Sequence, residues 1–168
     1  LIALELEVKA SCRADLILES KSLLVLGIIS NNFEFRTHHM VALIKKLESN
    51  KVLTVLDIEP KIPTYNVRAL MYALRLTKTL ETIQFSCSSL CEEEGDATLE
   101  EILNTLSRNT SLRVVWNHSY EFFAISETMK QKTLSMLRNN PTVEQCHVCA
   151  EDANFCYKKN ARLEGNGA

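Results

Sequence analysis

The chain is poor in the residues and runs that announce several large classes of protein. Of its 168 residues only four are glycine and three are proline, which excludes collagen-like and Pro/Gly-rich low-complexity architectures. No P-loop, G-x-S-x-G or H-E-x-x-H motif occurs, so neither a phosphate cradle, a nucleophile elbow nor a zinc-protease helix is announced. Apolar runs are short, and Leu23 to Ile29 already contains a glycine; a spanning helix needs about 20 such residues. Neither sign of charge dominates: 19 Lys and Arg face 21 Asp and Glu, for a net charge of −2. Nucleic acid and anionic membrane are therefore not expected partners. Six cysteines at 12, 87, 91, 146, 149 and 156 lack regular spacing. A secreted disulfide scaffold is denser, so reduced thiols and a cytoplasmic location are expected.

What is present is a repeat. Segments of a polar residue, two spacers and an aliphatic residue recur as Ser20 to Leu23, Asn50 to Leu53, Thr77 to Leu80, Asn109 to Leu112 and Asn140 to Val143. Three and five residues after each aliphatic anchor the chain is again apolar, as in Leu53/Leu56/Ile58 and Leu80/Ile83/Phe85. Leu1/Leu4/Leu6 adds a copy at the start, and Asn117 is the single polar residue among the eighteen positions. Anchors are spaced by 22, 30, 27, 32 and 31 residues. Positions two apart share one side of a strand, so each unit begins with a short strand buried on one face.

Upstream of each anchor the period becomes helical. Met40, Leu43, Ile44 and Leu47 precede Leu53 at offsets repeated by Val67, Leu70, Met71 and Leu74 before Leu80, and by Leu99, Ile102, Leu103 and Leu106 before Leu112. This i, i+3, i+4, i+7 stripe is the buried face of an amphipathic helix. The next helix has Lys130, Thr133, Leu134 and Leu137 there, as suits a terminal repeat whose outer side meets water. The first, with Ala10, Arg13, Ala14 and Ile17, matches poorly and is expected to be brief or irregular. Asn50, Asn109 and Asn140 follow helices where a left-handed residue often ends them, and Asn tolerates that geometry. One strand and one helix cannot bury their own apolar faces, so neighbouring units must stack.

Leu53-Thr-Val-Leu56-Asp-Ile58 and Ala42-Leu-Ile-Lys-Lys-Leu47-Glu-Ser-Asn50 resemble the leucine-rich-repeat family, in the ribonuclease-inhibitor-like subgroup. Arrays of that kind occur in NOD-like receptors, the Ran GTPase activator and tropomodulin. The resemblance implies an α/β solenoid: a parallel inner sheet of about five or six strands, outer helices and a right-handed arc. It covers residues 1–150, with 151–168 as a polar tail. Because Leu1 to Val8 already reads as a strand, the array is expected to continue a longer one. The Asn or Cys the family carries eight residues after each anchor is met only by Asn31; Lys9, Lys61, Ser88, Tyr120 and Glu151 stand elsewhere. Irregular loops are expected along that edge.

Strand alternation assigns the side chains that face the open, concave surface: those two, four and six residues after each anchor. Glu5, Glu7, Asp57 and Glu59 make the early strands acidic, Gln84 lies at the centre, and Trp116, His118 and His147 form an aromatic and imidazole patch. A groove tryptophan is a typical binding anchor. Two arrangements are open, since an irregular strand would turn Trp116 inward and Asn117 outward. Cys146-His147-Val148-Cys149 contains a C-x-x-C, but alternation points the two thiols to opposite faces, which favours core cysteine over a zinc ligand pair. His38-His39 reads as helix surface, and Glu92 to Asp96 as a solvated acidic loop. With no catalytic constellation and no cofactor motif, the expectation is a protein-interaction module rather than an enzyme. The resemblance also leaves open a regulator of actin or of a small GTPase.

Overall fold

A computed structural model describes residues 2–7, 22–29, 37–87, 92–117, 125–147 and 156–158. Within them the chain alternates strand and helix: β1 (Ile2–Glu7), β2 (Leu23–Ile29), α1 (Thr37–Ser49), β3 (Val55–Lys61), α2 (Thr64–Leu74), β4 (Thr82–Ser86), α3 (Glu92–Arg108), β5 (Val114–Asn117), α4 (Glu127–Asn139), β6 (Gln145–His147) and β7 (Cys156–Lys158). The strands form one sheet in chain order, β1 to β7. β1 to β6 run parallel. β7 reverses and pairs antiparallel with β6, so part of the segment expected as a polar tail is built into the sheet. No described helix is long and apolar enough to cross a membrane.

The core is the one the repeat demands. Leu26 and Ile28, Leu56 and Ile58, Ile83 and Phe85, and Val115 and Cys146 are buried on one side of the sheet. Against them lie the helix stripes, with Met40, Leu43 and Leu47 of α1 and all four stripe residues of α2 and α3 buried; Ile44 is partly so. Each fully buried Leu or Ile contributes about 2 kcal/mol, and the layer is continuous from β2 to β6. In α4 the polar half of the stripe is accommodated locally: buried Thr133 donates its hydroxyl to the Met129 carbonyl at 2.7 Å. The first helix expected near Ala10 to Ile17 lies outside the described residues.

The turns that return each helix to its strand work differently from the sequence expectation. No described non-glycine residue has positive φ, so Asn50, Asn109 and Asn140 are not left-handed caps; Asn140 sits at φ −76°, ψ 125°. Instead each is buried and accepts two backbone N–H groups on its Oδ1. Asn50 takes Val52 and Leu53 at 2.8 and 2.7 Å. Asn109 takes Ser111 and Leu112, both at 2.7 Å. Asn140 takes Thr142 and Val143, both at 2.9 Å. The Nδ2 groups of Asn109 and Asn140 reach back one repeat. Asn109 donates to the Leu74 carbonyl at 2.5 Å and to the Thr77 carbonyl at 3.2 Å. Asn140 donates to the Leu106 carbonyl at 3.1 Å. Leu74 ends α2 and Leu106 lies in the last turn of α3, where the final carbonyls have no intrahelical donor. One side chain thereby shapes its own turn and caps its neighbour.

The acidic run Glu92 to Asp96 is likewise not a loop. It forms the first turn of α3, where carboxylates interact favourably with the positive end of the helix dipole. Asp96 accepts from the Ser126 backbone N–H at 2.8 Å and from its hydroxyl at 2.5 Å. Ser126 in turn caps α4 by accepting from Met129 N–H at 3.2 Å. Asn109→Ala strips partners from several buried groups at once. We expect it to cost about 3 kcal/mol, against less than about 0.5 kcal/mol for its exposed neighbour Thr110→Ala, as read from urea unfolding curves.

Candidate functional site

Parallel register lays the central residues of successive strands side by side. Glu5 pairs with Gly27, Gly27 with Asp57, Asp57 with Gln84, Gln84 with Trp116, and Trp116 with His147. His147 is opposite Cys156 of β7. A second row runs Ala3, Val25, Val55, Thr82, Val114 and Gln145. From β2 to β6 the strand residues between these rows are the buried ones, so there both rows stand on the face the helices leave uncovered. Neighbouring strands are about 4.8 Å apart, which makes the central row a nearly continuous line of functional groups.

Trp116 lies on this open face, partly exposed. Its ring stacks on His147, centroids 4.7 Å apart and planes 24° from parallel. His147 is partly buried, with Nδ1 enclosed and lacking a hydrogen-bond partner among the described residues. Asp57 and Gln84 are partly exposed, and Glu59 is exposed near the end of β3. Glu5 and Glu7 occupy register positions on β1, two strands from Asp57. His118 and Cys149 lie outside the described residues, so the imidazole–thiol adjacency read from the sequence is not tested by this structure.

Asn117 resolves the two arrangements left open for β5. It is 3% exposed and points into the core. Its Oδ1 accepts the Cys87 N–H and its Nδ2 donates to the Cys87 carbonyl, both at 3.0 Å. The amide thus behaves like one more strand residue, pairing with the backbone just past β4. A polar residue is stable there because both of its groups are satisfied. That pairing keeps β5 regular and leaves Trp116 outward. Sequence reading missed the role because Asn117 looked like a defect in an apolar column.

Cys87 is itself fully buried, and burial pushes its thiol pKa up to about 12, with Lys61 lowering it and Glu94 raising it less strongly. Cys146 is buried in β6, as alternation requires. Among the described residues no group of three or more His, Cys, Asp or Glu side chains could hold a metal ion.

A shallow cavity of about 410 Å³ lies at the strand entrances, lined by Thr54, Lys78, Glu81, Ser111 and Arg113 among others. Two of its hydroxyls hold repeats together. Thr54 donates to the Leu24 carbonyl at 2.9 Å and Ser111 to the Leu80 carbonyl at 2.8 Å. Arg113 pairs with Glu144 at 3.3 Å. We read this edge as scaffold, and the open sheet face as the candidate site.

No protein-family profile matches the chain, and no curated protein does. Among solved structures, actin-binding site 2 of leiomodin-1 is similar in fold, with a TM-score of 0.58 and 15% identity over 71% of this chain and 67% of that one. The architecture is therefore a leucine-rich-repeat-like α/β solenoid, as the sequence repeat implied.

The raised Cys87 pKa makes a signed prediction. A folded value above the ordinary 9.0 means that the thiol's contribution is complete below pH 9 and is lost as pH climbs towards 12. Across that window wild type should lose stability relative to Cys87→Ala, measured as the difference between their melting curves; parallel curves would refute it.

Proposed function

We propose that this chain is a protein-interaction module whose partner lies across the open sheet face. The observation that carries the reading is the central row. It sets Asp57, Gln84, Trp116 and His147 abreast on rigid strands, with the molecule's one tryptophan held outward on an imidazole. Aromatic side chains on a fixed platform bury large area at small entropic cost, which is how binding hot spots are built. Glu5, Glu7, Asp57 and Glu59 supply an acidic end that steers and orients a partner. His147 extends the aromatic end, and the strand register of the sequence would add His118 to it. These eight residues are the proposed contact set, carried by the 1–150 array.

Actin is the first partner to try, because the similar structure is titled an actin-binding site of leiomodin. At 15% identity the likeness supplies the choice of probe and no contact residue. The GTPase-regulator reading has no comparable support. A cytoplasmic setting fits the actin reading.

Trp116→Ala and the double reversal Asp57→Lys/Glu59→Lys test the surface. Both change side chains outside the packed core, so the fold should be retained. In co-sedimentation with filamentous actin and gel filtration with monomeric actin, wild type should bind and Trp116→Ala should weaken binding by about tenfold. Should wild type ignore both forms, actin is excluded as partner. Should it bind with all variants indifferent, the open-face reading fails.

A further inference from the structure

On the opposite side of the solenoid, α2 has a second apolar face. Its core face is the stripe Val67, Leu70, Met71 and Leu74, all buried. Pointing the other way, Tyr65, Tyr72 and Leu76 are 59, 60 and 54% exposed, with exposed Ala69 between the tyrosines. The chain continues helically past Leu74: Arg75 is in the right-handed region, and the Leu76 N–H bonds the Ala73 carbonyl at 3.0 Å. Residues 65, 69, 72 and 76 are spaced 4, 3 and 4, which is the d-a-d-a seam of a heptad repeat over three turns.

The seam is peculiar to this helix. Relative to the strand anchors, the matching positions are His38, Ala42, Lys45 and Ser49 in α1, Ala97, Glu101, Asn104 and Arg108 in α3, and Thr128, Lys132, Ser135 and Asn139 in α4, none of which combines large apolar side chains at three of the four places. The remaining large exposed apolar side chain among the described residues, Val41, belongs to α1 next door. A helix apolar on both faces is ordinarily covered on both.

Charge says what covers it. From Pro60 to Leu80 there is no Asp or Glu, while Lys61, Arg68, Arg75 and Lys78 are present. Arg68 and Arg75 fall at the g positions of the seam, and the e positions, Asn66 and Ala73, are buried. Arg75 lies 5.2 Å over the Tyr72 ring and pairs with Glu101, which fixes the ring and neutralises that carboxylate. Glu100 is neutralised by Lys132. Arg68 and Lys78 are exposed, as is Lys45 on α1. A second copy of α2 would oppose basic flanks with basic flanks and supply no acid.

We infer that the Tyr65–Ala69–Tyr72–Leu76 seam docks an amphipathic helix of another protein whose apolar stripe is flanked by Glu or Asp. Tyrosines suit this use, each burying a ring while leaving its hydroxyl at the wet rim. The site is independent of the open sheet face, and the two can be occupied together.

The test titrates the intact chain with two designed amphipathic peptides about three heptads long. They share one leucine seam, and carry Glu or Lys at every e and g position. The Glu peptide should bind, and the Lys peptide should bind at least about tenfold more weakly. Arg68→Glu should reverse that order, Tyr72→Ser should abolish binding, and Trp116→Ala should change nothing. Circular dichroism melts check that the exposed substitutions leave the fold intact, and Arg68→Glu carries the test should Tyr72→Ser not fold. Equal affinity for both peptides, or none for either, overturns the proposal. So does a wild-type dimer that Tyr72→Ser dissolves, since the occupant would then be a second copy.

Discussion

Everything in this molecule depends on one recurrent hydrogen-bonding unit, the buried asparagine three residues before a strand anchor. Its oxygen gathers two N–H groups of the turn, and in Asn109 and Asn140 its nitrogen closes the open carbonyl end of the preceding helix. Buried amides of this kind are stable only when both ends are matched. The match exists only if the two repeats sit in one particular offset. The asparagine therefore converts similar units into an array with fixed register. At the repeat with Thr77 in its place, the hydroxyl donates to the Leu74 carbonyl at 2.9 Å and Asn109 of the next unit reaches back to supply the rest.

Fixed register is what creates the open face. Backbone bonds at the strand entrances repeat with the same step: the carbonyls of Leu24, Thr54, Glu81 and Arg113 each accept from the following repeat at 2.8 Å. Given that step, Asp57, Gln84, Trp116 and His147 must stand abreast. Asn117 repeats the device at the other end of β5, satisfying both polar groups of Cys87 where an aliphatic residue would satisfy neither. Packing alone would tolerate slippage between similar leucine columns. Polar groups that need partners do not.

The helices and strands were legible because their periods differ. A stripe of Leu, Ile, Val and Met at helical spacing, followed by alternation, has one economical solution in a repeat protein. Eleven of the twelve stripe residues in α1 to α3 are buried. The turns were misread because an asparagine can end a helix in two ways. It can adopt a left-handed backbone, or keep an ordinary backbone and use its side chain. Which occurs depends on whether a neighbouring repeat offers carbonyls within reach. The acidic run at Glu92 failed for a related reason: charge density suggested solvent, while the helix dipole and the Ser126 cap gave it a structural place.

Sequence by itself determined the repeat, the α/β alternation and which side of each strand is apolar, since these follow from spacing within one segment. Tertiary structure decided three other matters. It placed Trp116 outward by giving Asn117 a backbone to bind. It folded Cys156–Lys158 back as an antiparallel strand on β6, where it covers the edge of a parallel sheet. It also left Tyr65, Tyr72 and Leu76 on the outer face of α2 largely exposed. Each turns on groups brought together from about thirty residues or more apart, or from the end of the array, and local periodicity carries no information about such meetings.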